Sequence, residues 1–231
     1  MRRFWQAVTV VPDVGGWSVR LDARPLRTPA QQPLLLPTAA LAEGIAAEWR
    51  DVAAEVDATR MPLTRLASTV IDLMPTRRGD AIAEAVGFAS TDLLCYRAAA
   101  PADLVLRQAR AWQPWLDWAE RTHGARLVAT EGVIAVPQDP LALARLRAAV
   151  EGLDAWRLVG LHAGVTLTGS LILGLALDAG ALDADAAFAL ALLDELFEIE
   201  QWGEEEQQRV RHAALRRELT AAALYARSLR G

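Results

Sequence analysis

The sequence contains no lysine; all 24 of its basic residues are arginine, a mark of compositional bias and not of function. Acids outnumber bases 29 to 24, which gives a net charge of -5 and a pI near 5.3. The basic footprint that phosphate neutralisation requires is missing, and this argues against nucleic acid as a partner. A single cysteine, Cys95, excludes an intramolecular disulfide and a multi-cysteine zinc site, and it fits a reducing compartment. The histidines are few and scattered, at His123, His162 and His212. None follows Glu195 or Glu198 at the Glu-x-x-His spacing of a di-iron bundle. There is no G-x-S-x-G elbow, no phosphate loop and no G-x-G-x-x-G turn. The residues therefore argue against a metal centre and show no nucleotide-binding motif. The opening "MRRFWQAVTV" has arginines but lacks the apolar run and small-residue cleavage site of a signal peptide.

Long charge-free runs are also rare. The one that needs a membrane test is "LVGLHAGVTLTGSLILGLAL", Leu158 to Leu177, because about 20 apolar residues suffice to span a bilayer. It is interrupted by His162, Thr166, Thr168, Ser170 and several glycines, and the flanking arginines show no strong sidedness. The expectation is a buried pair of helices and no stable membrane insertion.

What the chain does have is apolar surface: 53% of its residues are hydrophobic, enough for a sizeable core. The first part reads as strands. "FWQAVTVV" and "WSVRLD" flank the turn-rich "PDVGG", and Trp17, Val19 and Leu21 alternate with polar residues. "LRTP" and "PLLLP" supply further short strands, punctuated by prolines. Thr38 then caps a predicted helix, "AALAEGIAAEWRDVAAEV", with Leu41, Ile45, Trp49 and Val52 on one stripe.

From there the periodicity is helical. "MPLTRLASTVIDLM" and the weaker "RRGDAIAEAVGFAS" precede "PADLVLRQARAWQPWLDWAERTHG", where Pro114 is expected to break or kink the helix. "ARLVAT" and "GVIAVP" form either a small hairpin or an extended excursion. A helix follows at "DPLALARLRAAVEGL", then the apolar pair, then a helix that starts at Asp183 or Asp185 and ends at Gly203, and a last one from about Glu204 to Arg230. The fold class is α+β: a small N-terminal β-rich domain, residues 1–50 with its connecting helix, followed by a larger all-helical domain, residues 51–231.

The penultimate helix carries the densest chemistry. In "LALLDELFEIEQWGEEEQQ" acids recur without a base among leucine, phenylalanine and isoleucine. Leu192, Leu196 and Ile199 make an apolar ridge, with Leu193 and Phe197 beside it. Glu195, Glu198 and Trp202 share a neighbouring face at spacings of three and four. Read blandly, this is core on one side and water on the other. Read more sharply, it is a contact face where an acid meets the arginine or backbone donors of a partner. A carboxylate enzyme using Glu195 and Glu198 is the alternative. Eight tryptophans pose the same choice between core and interface, most of all Trp112, Trp115 and Trp118 around Pro114.

Taken in order, the motifs resemble one family over nearly the whole length: "RFW", "LDARPLRTP", "LPTAALAEGIAAEW", "MPLTRLA", "TDLLCYRA", "QARAWQPWLDW", "GSLILGLAL" and "DELFEIEQWG". The sequence is similar to the ATP synthase assembly chaperones of the Atp-twelve type, known in mitochondria and some bacteria. The resemblance implies a β-rich N-terminal and a helical C-terminal domain, with no cofactor, no small-molecule substrate and no catalysis. It further implies a chaperone that holds the free alpha subunit of F-type ATP synthase and covers the surface alpha later offers to beta. It places an important acid at Glu195, with Asp194 as neighbour. The implied client-binding set is Glu195, Asp194, Glu198, Trp202, Trp112 and Trp115. The sequence departs from the family pattern at Glu198, usually glutamine, and after Gly203, where "EEEQQRV" replaces the usual Trp-Ala-His-Asp ending. The implied compartment is a bacterial cytoplasm, or the mitochondrial matrix for a mature organellar form.

Overall fold

The structure is a computed structural model that describes residues 1–132, 134 and 136–230. Strands β1 (Val8–Asp13) and β2 (Gly16–Leu21) form an antiparallel hairpin whose register runs from Val8↔Leu21 to Asp13↔Gly16. Two short strands, β3 (Arg24–Pro25) and β4 (Leu35–Leu36), also pair antiparallel with β2. As the alternation predicts, Val19 and Leu21 are buried, and Trp17 is packed against the same core.

Helix α1 (Ala39–Arg50) packs on this sheet. Thr38 caps it, its hydroxyl accepting from the Leu41 amide at 3.1 Å. The helix stops at Arg50 rather than continuing to Val56 as the sequence suggested. The amide of Arg3 donates to the Ala54 carbonyl and that of Val56 to the Met1 carbonyl, so the N-terminal segment takes backbone groups that a longer helix would have used itself. Helix α2 (Pro62–Asp72) has no side-chain cap of its own. Glu48 of α1 supplies it, accepting from the Leu63 amide at 2.6 Å and the Thr64 amide at 2.9 Å.

Helix α3 (Met74–Gly87) follows, then β5 (Tyr96–Arg97), α4 (Ala102–His123) and β6 (Thr130–Glu131), which pairs parallel with β5. Helix α4 runs unbroken through Pro114. The proline is on the exposed side, as is Arg110, whose carbonyl it leaves without a helical donor, while Trp112, Leu116 and Ala119 anchor the opposite side in the core. The predicted "ARLVAT"–"GVIAVP" region is an extended excursion over its described residues. The Gln138 side chain bridges the amide and carbonyl of Val128 at 2.7 and 2.9 Å; Val133 and Ala135 lie outside the described residues.

Helix α5 (Pro140–Glu151) leads into α6 (Ala155–Thr168) and α7 (Leu171–Ala179), the expected buried pair. Gly169 ends α6 in a left-handed conformation with φ +69°, and the Ser170 hydroxyl accepts from the Leu173 amide at 3.0 Å to begin α7. No helix among the described residues is long and apolar enough to cross a membrane.

The single helix expected between Asp183 and Gly203 is two: α8 (Ala184–Ala191), capped by Asp183, and α9 (Leu193–Trp202). The break at Leu192 involves neither glycine nor proline, so no breaker residue marks it. Helix α10 (Glu206–Leu229) closes the fold by packing against α1, α2, α6, α7 and α8. One hydrophobic core lies among the helices and a second lies between the sheet, α1 and α2. Tyr225 of α10 is part of the second, and its hydroxyl donates to the Trp156 carbonyl at 3.2 Å.

Candidate functional site

Helix α9 sits with Leu193 and Phe197 fully buried and Leu192, Leu196 and Ile199 half-buried, so the buried ridge is one position displaced from the expected one. Because the helix begins afresh after Leu192, its inward stripe is set by docking on α4 and α8 rather than by continuity with α8.

This placement separates the predicted site residues. Asp194 turns towards α4, where its Oδ1 accepts from Gln108 Nε2 at 2.6 Å. Gln108 is fully buried, and its Oε1 accepts from the Ala98 amide at 2.7 Å. Six residues further along α9, Glu200 makes a two-pronged ion pair with Arg107 at 2.7 and 2.8 Å, and the same guanidinium lies over the Phe197 ring at 5.1 Å.

Glu195 turns the other way, to α10. Its Oε1 accepts from His212 Nε2 at 2.9 Å and from Arg211, with Gln208 Nε2 at 3.5 Å. The other ring nitrogen of His212 meets Glu204 Oε1 at 3.1 Å, and the ring packs edge-on against Phe188. His212 thus joins α9 to the turn that follows it. Partial burial pushes Glu195 upward, but the hydrogen bonds from Arg211 and His212 outweigh it and hold the carboxyl below the usual carboxylate range.

Glu198 and Trp202 face solvent, and Trp202 is 85% exposed at the end of α9. Gly203 follows it with φ +87° and turns the chain into α10. Trp112 does not belong to any surface: it is 1% exposed, donates its indole N–H to the Leu190 carbonyl at 3.1 Å and lies under the Arg97 guanidinium at 5.5 Å. Trp115 is half-buried against Trp118. Of the choice between core and interface left open around Pro114, the unbroken helix takes the core for Trp112 and leaves Trp115 and Trp118 half-buried.

Arg107, Gln108, Arg211 and His212 were not singled out as site residues from the sequence. The spacing of Gln208, Arg211 and His212 at three and four marks one face of α10, but nothing in the sequence says that this face meets α9. Among the described residues, no group of three or more His, Cys, Asp or Glu side chains is arranged to hold a metal ion.

Comparison with known proteins decides the family. The family model described as ATP12 chaperone protein matches residues 2–120, more than half of the chain. The chain belongs to the ATP12 chaperone family. This ATP12-family chain is 26% identical over 241 residues to "Protein atp12, mitochondrial" of Schizosaccharomyces pombe, covering 99% of this chain and 83% of the relative. The crystal structure of Atp12 from Paracoccus denitrificans is 46% identical, with a TM-score of 0.93 over 99% of this chain and 98% of that one. An aspartate-to-lysine mutant of the P. denitrificans Atp12p superposes equally well, at 45% identity and a TM-score of 0.93, over 99% of this chain and 97% of that one. The α+β architecture, with a small strand region leading a mostly helical remainder, matches these ATP12-family structures.

Proposed function

We propose that this ATP12-family chain is an assembly chaperone that binds the unassembled alpha subunit of F-type ATP synthase and shields the surface alpha later presents to beta. An orphan subunit exposes an apolar patch intended for a neighbour, and such patches aggregate. Family membership supports the chaperone role, and the observation that carries the choice of surface is Trp202, exposed beside Glu198 at the α9–α10 turn. An exposed tryptophan with charge at its edge has the character of an interface anchor.

In this reading Trp202 and Glu198 touch the client, and Asp194 and Glu195 act through others. Asp194 fastens α9 to α4, and Glu195 fastens it to α10, so that the turn is presented in one orientation. Trp115 contributes only its half-exposed edge, and Trp112 supports the scaffold from within. The carboxylate-enzyme alternative gains nothing from the geometry. Glu195 is already engaged by Arg211 and His212 while Glu198 stands in solvent, which suits bracing better than proton transfer. Protein work in a bacterial cytoplasm or a mitochondrial matrix follows from the same reading; relatives occur in both a mitochondrion and a bacterium.

The test is capture of separately expressed alpha and beta subunits by the purified chain. Preference for alpha, weakened roughly tenfold or more by Trp202→Ala, is the expected result, since truncating a central interface tryptophan typically costs 2 kcal/mol or more. Equal capture of alpha and beta, or none at micromolar concentration, overturns the reading.

A further inference from the structure

A second surface lies far from α9 in the chain, in the cleft between the β-rich segment and α2. Its volume is about 620 Å³, within the range of roughly 300–1,000 Å³ typical of ligand clefts. Met1, Trp49, Val56, Met61 and Leu73 give it apolar walls. Three polar features interrupt them. Ser68 on α2 is only 8% exposed, lines the cleft, and its hydroxyl has no hydrogen-bond partner among the described residues. Arg27 stands exposed at the rim; it donates to the Gln31 carbonyl at 2.7 Å and pairs with no carboxylate among the described residues. Gln31, also at the rim, holds a left-handed backbone with φ +64°, a conformation that a non-glycine residue keeps only when its surroundings impose it.

The remaining polar groups of the cleft are already used. Asp72 accepts from the Thr28 hydroxyl at 2.6 Å and from the Ala30 amide at 3.1 Å, which fixes the turn that carries Arg27 and Gln31. Thr64 accepts from the Trp49 indole at 3.1 Å and donates to Glu48, and Arg65 is paired with Glu218. The cleft is therefore preformed, and what it leaves open is one hydroxyl at depth and one guanidinium at the edge. The Ser68 hydroxyl faces the cleft and is free to pair with a group that enters it.

We propose that this cleft is a second client pocket, which takes an apolar side chain from an extended segment of the client that also carries a carboxylate nearby. The proposal rests on the chaperone reading above. The apolar walls bury the client side chain. A client backbone carbonyl accepts from the Ser68 hydroxyl, and the client carboxylate meets Arg27 at the rim. A polypeptide supplies all three chemistries at spacings of a few ångströms. Contact at two separate places also explains how one small chaperone holds a client in a defined orientation, because linking two modest contacts raises avidity without requiring either to be tight.

The experiment compares capture of the alpha subunit by wild type and by three variants on this cleft, with Trp202→Ala alongside. Ala58→Trp, from an exposed rim position, fills the cleft; Ser68→Ala removes the hydroxyl; Arg27→Glu reverses the edge charge. Ala58→Trp is expected to weaken capture about tenfold or more, Ser68→Ala about three- to tenfold, and Arg27→Glu to weaken it most at low salt. Unchanged circular dichroism and thermal midpoint show that the loss is one of binding; Arg27→Glu, at a solvent-facing position, keeps the test open if a deeper change fails to fold. Wild-type binding that Trp202→Ala weakens but all folded cleft variants leave untouched overturns the second pocket and spares the chaperone reading. No wild-type binding to alpha overturns both.

Discussion

At the residue scale, three buried or half-buried acids show how position decides role. Glu195 is held below the ordinary carboxylate range by Arg211 and His212. Its contribution to stability is thus present above the unfolded value near 4.3 and is lost as pH falls through its lower folded value. Glu195→Gln is expected to destabilise the protein by roughly 1–3 kcal/mol at neutral pH, and the gap to wild type should close on acidification towards pH 3 in urea titrations. A gap that does not change with pH would show that the ion pair is not what Glu195 supplies. Asp92 behaves oppositely. Fully buried, it accepts from the Leu94 amide at 3.1 Å and the Ile172 amide at 3.2 Å, and burial pushes it up to about 6 despite these bonds. Its folded value exceeds its unfolded one, so its favourable contribution is complete below about pH 4 and is lost as pH rises through about 6. The stability difference between wild type and Asp92→Asn should therefore fall by roughly 1–3 kcal/mol between pH 4 and pH 7. A rise over that interval would mean that the amide bonds dominate burial. Glu48 is also raised by burial while it caps α2.

At the scale of elements, the α6–α7 pair depends on close approach. A methyl group built on Gly174 would fall 2.4 Å from Val165 Cγ2 and 3.1 Å from the Val165 amide nitrogen. Gly174→Ala should therefore cost roughly 1–3 kcal/mol although alanine is the better helix former, because overpacking outweighs propensity here. Chemical denaturation measures it, and a neutral or stabilising result would show that the two helices can separate without loss. The same crossing explains why the segment resembled a membrane span in sequence: it is apolar because both of its helices are buried, and its glycines and capping serine mark the turn between them. Helix α9 teaches the opposite lesson. Its acids look alike in sequence, yet Asp194 is bonded to α4, Glu195 is bonded to α10 and Glu198 is exposed.

At the scale of the whole molecule, the two cores are joined. The core around the sheet includes Met61, Leu63 and Ala67 of the α2 region and Tyr225 of α10, and Thr38 before α1 donates to the Ser228 carbonyl at 2.6 Å. Tyr225 packs within 3.0 Å of where a side chain on Gly160 would begin, so α10 is held to α6 at the same place. Tyr225→Ala is expected to remove about 3–5 kcal/mol, the usual range for a fully buried aromatic ring. Circular dichroism and tryptophan fluorescence should report one coincident transition before and after the change. Separate transitions would mean that residues 1–50 and 51–231 fold as independent units.

The sequence by itself determined the hairpin, the Thr38 cap, the buried helical pair and the family, because each rests on local periodicity, turn chemistry or ordered motifs that need no partner. It also set Trp202 on one helical face with Glu195 and Glu198, while the exposure of that ring was decided by the tertiary structure. Only the tertiary structure decided where α1 stops, why α2 starts without its own cap, that α4 passes through Pro114, and that the acidic helix divides at Leu192. For α1 and α2 a backbone or carboxylate group finds its partner elsewhere in the chain, and for α4 and α9 the packing of neighbouring helices decides; local sequence carries no signal for either. The division of labour among Asp194, Glu195 and Glu198 arises in the same way: identical chemistry, separated by which neighbour each side chain reaches.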